Sequence, residues 1–195
     1  MTVRQSLLAM LDEGPKYGAQ LRAEFEQRTG ATWPLNVGQV YTTLARLERD
    51  GLVVSDGEDD AGHGTYRITE QGSRAVAVWF AQPVERDAPQ RDELAIKLAL
   101  AVMVPGLDVR ALVRRQRAAT LRALQDYTRL KDRAMDDPDE LPWLLVLDSL
   151  VYAAEAEVRW LDHVETRVAR AAEQRTRRAR AAEAPQASPV AERVR

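Results

Sequence analysis

The chain has 195 residues, 45% of them hydrophobic and 30% charged, which is material for one large globular domain or two small ones. It contains no cysteine, so disulfides, thiolate metal sites and cysteine nucleophiles are excluded, and a reducing cytoplasm suits it. The net charge of −2 is uneven: residues 1–80 hold 8 Lys/Arg against 11 Asp/Glu and residues 81–195 hold 20 against 19, so bulk charge argues against a polyanion partner for the N-terminal part unless a few cations are well placed.

Thr2 is placed to cap a first helix, with Gln5 at the capping-box position, and Val3, Leu7, Leu8 and Leu11 recur at helical spacing until "EGP" at 13–15 ends it. This polar first turn is not a basic-then-apolar leader, so no secretory signal is expected. A second helix is expected from Tyr17 to Thr29, with Tyr17, Leu21 and Phe25 on one face and Gly30 as its stop. Asn36 follows as a candidate N-cap for a third helix over 37–50. There Val37, Val40, Leu44 and Leu47 form one apolar face, with Tyr41 beside it and Gly51 as the left-handed terminator. Two β-compatible segments, "LVVS" at 52–55 and "TYRIT" at 65–69, flank the polar connection "DGEDDAGHG". A fourth helix starts near Thr69 and carries Ala75, Val76, Trp79 and Phe80.

"AQPVERDAPQ" at 81–90 marks the domain boundary, and the rest is expected to be helical. "RDELAIKLALAVMV" at 91–104 is apolar nearly all round, which predicts burial, and its longest apolar run, Leu98 to Pro105, is too short to span a bilayer. A long helix over 108–133 and a turn at "DDPDELP" lead into a last helix over 142–175. Its residues Leu144, Leu147, Val151, Ala154, Val158, Leu161 and Val168 recur at 3- and 4-residue steps, broken only by Glu165. Residues 176–195, ending in "APQASPVAERVR", are expected to be a disordered tail. The fold expected is mainly α with a small β-hairpin: a DNA-binding-type winged helix-turn-helix over 1–80, then a helical domain over 91–175.

Three helices, a hairpin and a helix is the order of a winged helix. Such a domain buries one face of its third helix and leaves the other free for a major groove. The free face here is Gly38, Gln39, Thr42, Thr43, Arg46 and Arg49. Gln pairs bidentately with adenine, Arg with guanine or phosphate, and a Thr methyl touches a thymine methyl. Asn36 and Gly38 bring the helix start close to a phosphate, and His63 and Arg67 supply the hairpin's only positive charge. On pattern alone, winged-helix topology also serves protein contacts, so a protein-interaction module on a helical stalk stays open beside a DNA reader.

The chain resembles the PadR family of bacterial transcriptional regulators through "GPKYGAQL" at 14–21, "VYTTLARLERDGLV" at 40–53 and "YRITEQG" at 66–72, in that order and spacing. "RDELAIKLAL" at 91–100 and "RWLDHVE" at 159–165 resemble the long C-terminal helical domain of its larger members. The resemblance implies a homodimeric repressor in the bacterial cytoplasm, associated with the nucleoid, and a phosphate contact for Tyr41. It also implies regulation by small molecules, aromatic acids among them. Two departures stand out: Thr42 where the family often has proline, and an acidic rather than basic wing.

Two copies are expected because one winged helix reads too little of a site. The operator is then a pseudo-palindrome with half-sites ~34 Å apart or a multiple. Leu144, Leu147, Val151, Ala154, Val158 and Leu161 are the candidate dimerisation seam; packing within one subunit is the competing reading. Trp79, Tyr127, Trp143, Tyr152 and Trp160 are candidates to stack on a small aromatic effector, against plain core filling. The arginines of 167–183 either touch flanking DNA or form a solvated helix end. Nothing suggests an enzyme, a metal site or a cofactor: His63 and His163 have no partner ligands, and no nucleophile elbow or phosphate-cradling glycine loop occurs. "DGEDD" at 56–60 lacks calcium-loop spacing and reads as a solvated turn.

Overall fold

In the computed structural model, residues 2–58, 64–85 and 91–183 are described. They form α1 (Thr2–Leu11), β1 (Lys16–Tyr17), α2 (Gly18–Arg28), α3 (Val37–Arg49), β2 (Val53–Glu58), β3 (Gly64–Ile68), α4 (Glu70–Ala81), α5 (Glu93–Ala101), α6 (Val109–Ala134) and α7 (Leu141–Glu183). The chain is mainly helical with one small antiparallel sheet, as the sequence predicts. The described residues fall into two compact units, one drawn from 2–85 and 129–149 and the other from 91–128 and 150–183.

In the first unit, Leu7, Leu8, Leu11, Leu21, Val40, Leu44, Leu47 and Val53 are fully or almost fully buried in one cluster. Helical spacing puts each set on one face, and burying those faces together is what holds the three helices. The sheet has the order β1-β3-β2. Lys16 lies opposite Tyr66 and Tyr17 opposite Thr65, while Val53 pairs Ile68 and Ser55 pairs Tyr66 before a bulge between Ser55 and Glu58. Gly57, at φ +85, supplies the left-handed residue that this bulge needs.

The structure departs from the sequence expectations at several points. Tyr17 is not on the α2 face but in β1, a two-residue strand too short to show alternation. Val37 is 41% exposed, because the buried stripe is centred on Val40, Leu44 and Leu47 and the first turn projects past it. Gln5 forms no capping box, since its Oε1 is buried without a hydrogen-bond partner. Asn36 and Thr69 do act as N-caps, accepting from the Gly38 and Gly72 amides. Gly51, at φ +73, ends α3 with the left-handed turn expected of it.

In the second unit, Leu98, Val113 and Leu161 are buried together, with Leu94, Val109, Leu112, Trp160 and Val164 packed on them. Gln116 and the Thr120 hydroxyl both donate to Glu157, tying α6 to α7. The stretch expected to be buried all round is not: Ile96, Leu100, Val102, Met103 and Val104 are exposed. Only Leu98 and Ala101 of α5 turn fully inward. The segment 176–183, assigned by sequence to a tail, continues α7 as helix, in keeping with its alanines and arginines, both strong helix formers.

Candidate nucleic-acid interface

The candidate interface is built on α3, which Asn36 starts. The Asn36 Oδ1 accepts from the Gly38 amide at 2.8 Å, so that amide is already engaged and the glycine's closest neighbour is its own cap. Val40, Leu44 and Leu47 anchor the inner side of the helix. Gly38, Gln39, Thr42 and Arg46 are exposed on its outer side, and Thr43 is half-buried at the edge of the core face. The Thr42 hydroxyl donates to the Gly38 carbonyl and the Thr43 hydroxyl to the Gln39 carbonyl, each at 2.7 Å. Both hydroxyl protons are therefore directed back into the helix, which leaves the methyl of Thr42 as its outward group. Gln39 and Arg46 make no hydrogen bond or ion pair with another described side chain, so both polar heads are free to meet a ligand. Arg49 instead lies 3.6 Å from Asp50, which is itself held by Arg4 at 2.9 Å.

Tyr41 stands at the side of this face, 43% exposed. Its ring lies over Gly18 at the start of α2. Tyr66 is nearby on β3, and its phenol is pushed above its usual value by burial first, then by the Glu48 carboxylate and Tyr41. Glu48 turns toward the sheet and accepts from the Ser55 amide. On the wing, Arg67 is exposed but donates to Asp56 at 3.0 Å, so its charge is partly neutralised in place. His63 lies outside the described residues.

Two family models match the chain, that of the transcriptional regulator PadR-like family over residues 7–78 and that of the virulence activator alpha C-terminal domain over residues 90–169. The chain carries a PadR-like family domain followed by a virulence activator alpha C-terminal domain. This is a family of transcriptional regulators rather than enzymes. No curated protein sequence matches the chain. Among solved structures, Bacillus subtilis PadR in complex with operator DNA is 18% identical with a TM-score of 0.70, covering 86% of this chain and 99% of that one. The same protein in complex with p-coumaric acid gives 18% and 0.71, again over 86% and 99%. The Vibrio cholerae virulence activator AphA is 22% identical with a TM-score of 0.64, covering 85% and 96%. At these identities the likeness is one of fold: the winged helix followed by a long helical segment is the PadR-like architecture.

The remaining sequence candidates of this PadR-like chain fall in different places. Along α7, Leu147, Ala154 and Leu161 are buried within the single chain, whereas Leu144, Val151 and Val158 are half-buried. Trp79 packs against Phe80, with ring centroids 4.7 Å apart. Trp143 covers Gly30, where a Cβ would come within 2.5 Å of the indole. It also walls a cavity of about 530 Å³ with Glu13, Glu24, Arg28, Asp139 and Glu140. Tyr127 lines a groove of about 390 Å³ between α6 and α7, Trp160 belongs to the second core, and Tyr152 is 67% exposed. Gly18 also belongs to the α3 site, and its sequence signal is the glycine of "KYGAQL", at a helix start with no turn to explain it.

Among the described residues no helix is long and apolar enough to cross a membrane, and no group of His, Asp and Glu could hold a metal ion.

Proposed function

We propose that this PadR-like chain is a sequence-specific DNA-binding repressor that acts as a homodimer in the bacterial cytoplasm, at the nucleoid, and is released from its operator by a small molecule. The observation that carries the reading is the outward face of α3, where Gln39 and Arg46 are uncompensated and Thr42 offers a methyl. Those are the groups that read adenine, guanine and thymine in a major groove, each good bidentate pair contributing about 1–3 kcal/mol of discrimination. Tyr41 is the expected phosphate contact. The wing contributes little charge while Asp56 holds Arg67, so binding is dominated by α3 and its salt dependence is shallow. The likeness, over 86% of this chain, to a PadR that holds operator DNA, and to the same protein holding p-coumaric acid, supports both halves of the proposal.

A second copy is supported by the apolar surface at the end of α5 and in the turn after it. Ile96, Leu100, Val102, Met103, Val104 and Leu107 are all at least 40% exposed, a patch of the kind that marks an association surface. Leu144, Val151 and Val158 are the part of the α7 seam with surface still to offer. For the effector, the Trp143 cavity is the favoured site of the two with an aromatic wall. Four carboxylates and one arginine line it, which suits a cationic or neutral aromatic better than an aromatic acid.

The deciding experiment is a gel shift and footprint with the DNA upstream of the chain's own gene. Retardation of that DNA over a scrambled duplex is expected, with Gln39→Ala altering sequence preference and Tyr41→Ala weakening every duplex alike. Equal indifference to both duplexes would leave the protein-interaction module, which the acidic wing favours. Tryptophan fluorescence titrated with a phenolic acid and a flat cationic drug tests the effector; no quenching beyond the inner-filter effect removes it.

A further inference from the structure

Gly18 is the first residue of α2 and is buried. Its φ is not in the left-handed region that Gly14, Gly30, Gly51, Gly57 and Gly106 occupy. No backbone reason therefore demands glycine there, and alanine would be the better helix former. The reason must be space. A Cβ built at Gly18 would lie 2.7 Å from Tyr41 Cζ, 2.8 Å from Cε1 and 3.1 Å from the hydroxyl oxygen. The nearest atoms to that Cβ all belong to the far end of one side chain, and none is backbone. Gly72 is the contrast: a Cβ there would collide with the Leu52 carbonyl and with Ile68, so its glycine serves the core itself.

We infer that Gly18 is a positioning residue for Tyr41: the bare α-carbon of α2 is the seat on which the Tyr41 ring lies, and the seat fixes where its hydroxyl is presented beside the outer face of α3. A methyl group at Gly18 has one easy response, which is to push the ring off. The three closest obstacles are all atoms of the Tyr41 side chain, so the ring is the part that gives first. The effect of the substitution thus falls on Tyr41 and not on folding. For DNA this inference rests on the reading of Tyr41 as a phosphate contact, and a misplaced hydroxyl loses a charge-assisted hydrogen bond.

The test uses the full chain with Gly18→Ala, Tyr41→Ala and the double substitution, plus Tyr41→Leu for a readout without DNA. In proton NMR the Gly18 α-protons are expected upfield of the ordinary glycine range, through the ring current of Tyr41, and to return to it in Tyr41→Leu. Ordinary shifts in the parent protein would overturn the inference whether or not the chain binds DNA. Gly18→Ala is expected to melt no lower than the parent. It should bind the upstream duplex and a scrambled duplex of equal length more weakly, each by on the order of tenfold. The double substitution is expected to bind no worse than Tyr41→Ala alone. Losses that add in the double variant, or full affinity in Gly18→Ala beside a weakened Tyr41→Ala, would sink the positioning role. A Tyr41→Ala variant that binds as well as the parent removes the phosphate reading alone, and the NMR shift then decides the seat by itself.

Discussion

Arg67 is the one cation on the described wing strands, and Asp56 already holds it at 3.0 Å. Asp56→Asn removes the carboxylate charge while keeping the shape, so affinity for any duplex is expected to rise. The plot of log affinity against log salt should steepen by about 0.9, the increment for one phosphate; an unchanged slope in a salt titration would show that Arg67 does not reach DNA. This pairing was hidden in the sequence because Asp56 and Arg67 are eleven residues apart and meet only through the β2–β3 register. Lys16 is 8% exposed and donates to Glu13, three residues before it, at 2.8 Å and to Glu24 on α2 at 2.5 Å. Arg28 adds two bonds to Glu13 at 2.6 and 2.7 Å. That Arg28 bond, against a smaller opposing effect of burial and with help from Lys16, holds the Glu13 carboxyl at about 2 instead of 4.5. A depressed carboxylate contributes stability above its unfolded value that is lost as pH falls through its folded one. The melting temperature is therefore expected to fall from about pH 4.5 toward pH 2 in part through Glu13. In Glu13→Gln the midpoint should be lower at neutral pH and flatter across that window, and parallel melting curves for the two proteins would exclude it.

At the scale of elements, periodicity is legible where one face is buried and one is wet. Val40, Leu44 and Leu47 of α3 and Leu147, Ala154 and Leu161 of α7 are where the spacing puts them. It fails where the pattern has no polar side to orient it. In α5 nearly every residue is apolar, and only packing decides that Leu98 and Ala101 turn inward while Ile96 and Leu100 do not. It fails also for β1, because two residues are too few for alternation, and their strand exists only by pairing with Thr65 and Tyr66. The α7 seam shows the remaining ambiguity: a heptad pattern states that a face is apolar but not whose surface covers it. Leu161, fully buried with Leu98 and Val113, is answered for by its own chain. Leu161→Ala is expected to lower unfolding free energy by about 2–5 kcal/mol, at a protein concentration where association is saturated, and Val158→Ala by clearly less. Equal losses from the two in urea denaturation would mean that the seam is held by something other than the second core.

For the whole molecule, the consequence turns on the surface that a single chain leaves open. Leu100 is 62% exposed and Met103 is 76% exposed, next to a core that already has its own inward residues. A charge placed at Leu100 therefore removes little from the fold of one chain but makes burial of that face against a second copy unfavourable. Leu100→Glu is expected to keep the parent's helical circular dichroism and to sediment as a monomer at micromolar concentration, where the parent sediments as a dimer. The DNA behaviour should change in a particular way. Two linked heads reading half-sites ~34 Å apart multiply their selectivity, whereas one head keeps only its own contacts. Leu100→Glu should thus lose far more affinity for the upstream operator than for scrambled DNA, and its footprint should shrink to a half-site or vanish. A parent protein that is monomeric under the same conditions would remove the dimer from the proposal and leave each α3 to read DNA alone. A variant that stays dimeric would instead move the interface off α5, to the half-buried Leu144, Val151 and Val158 of α7.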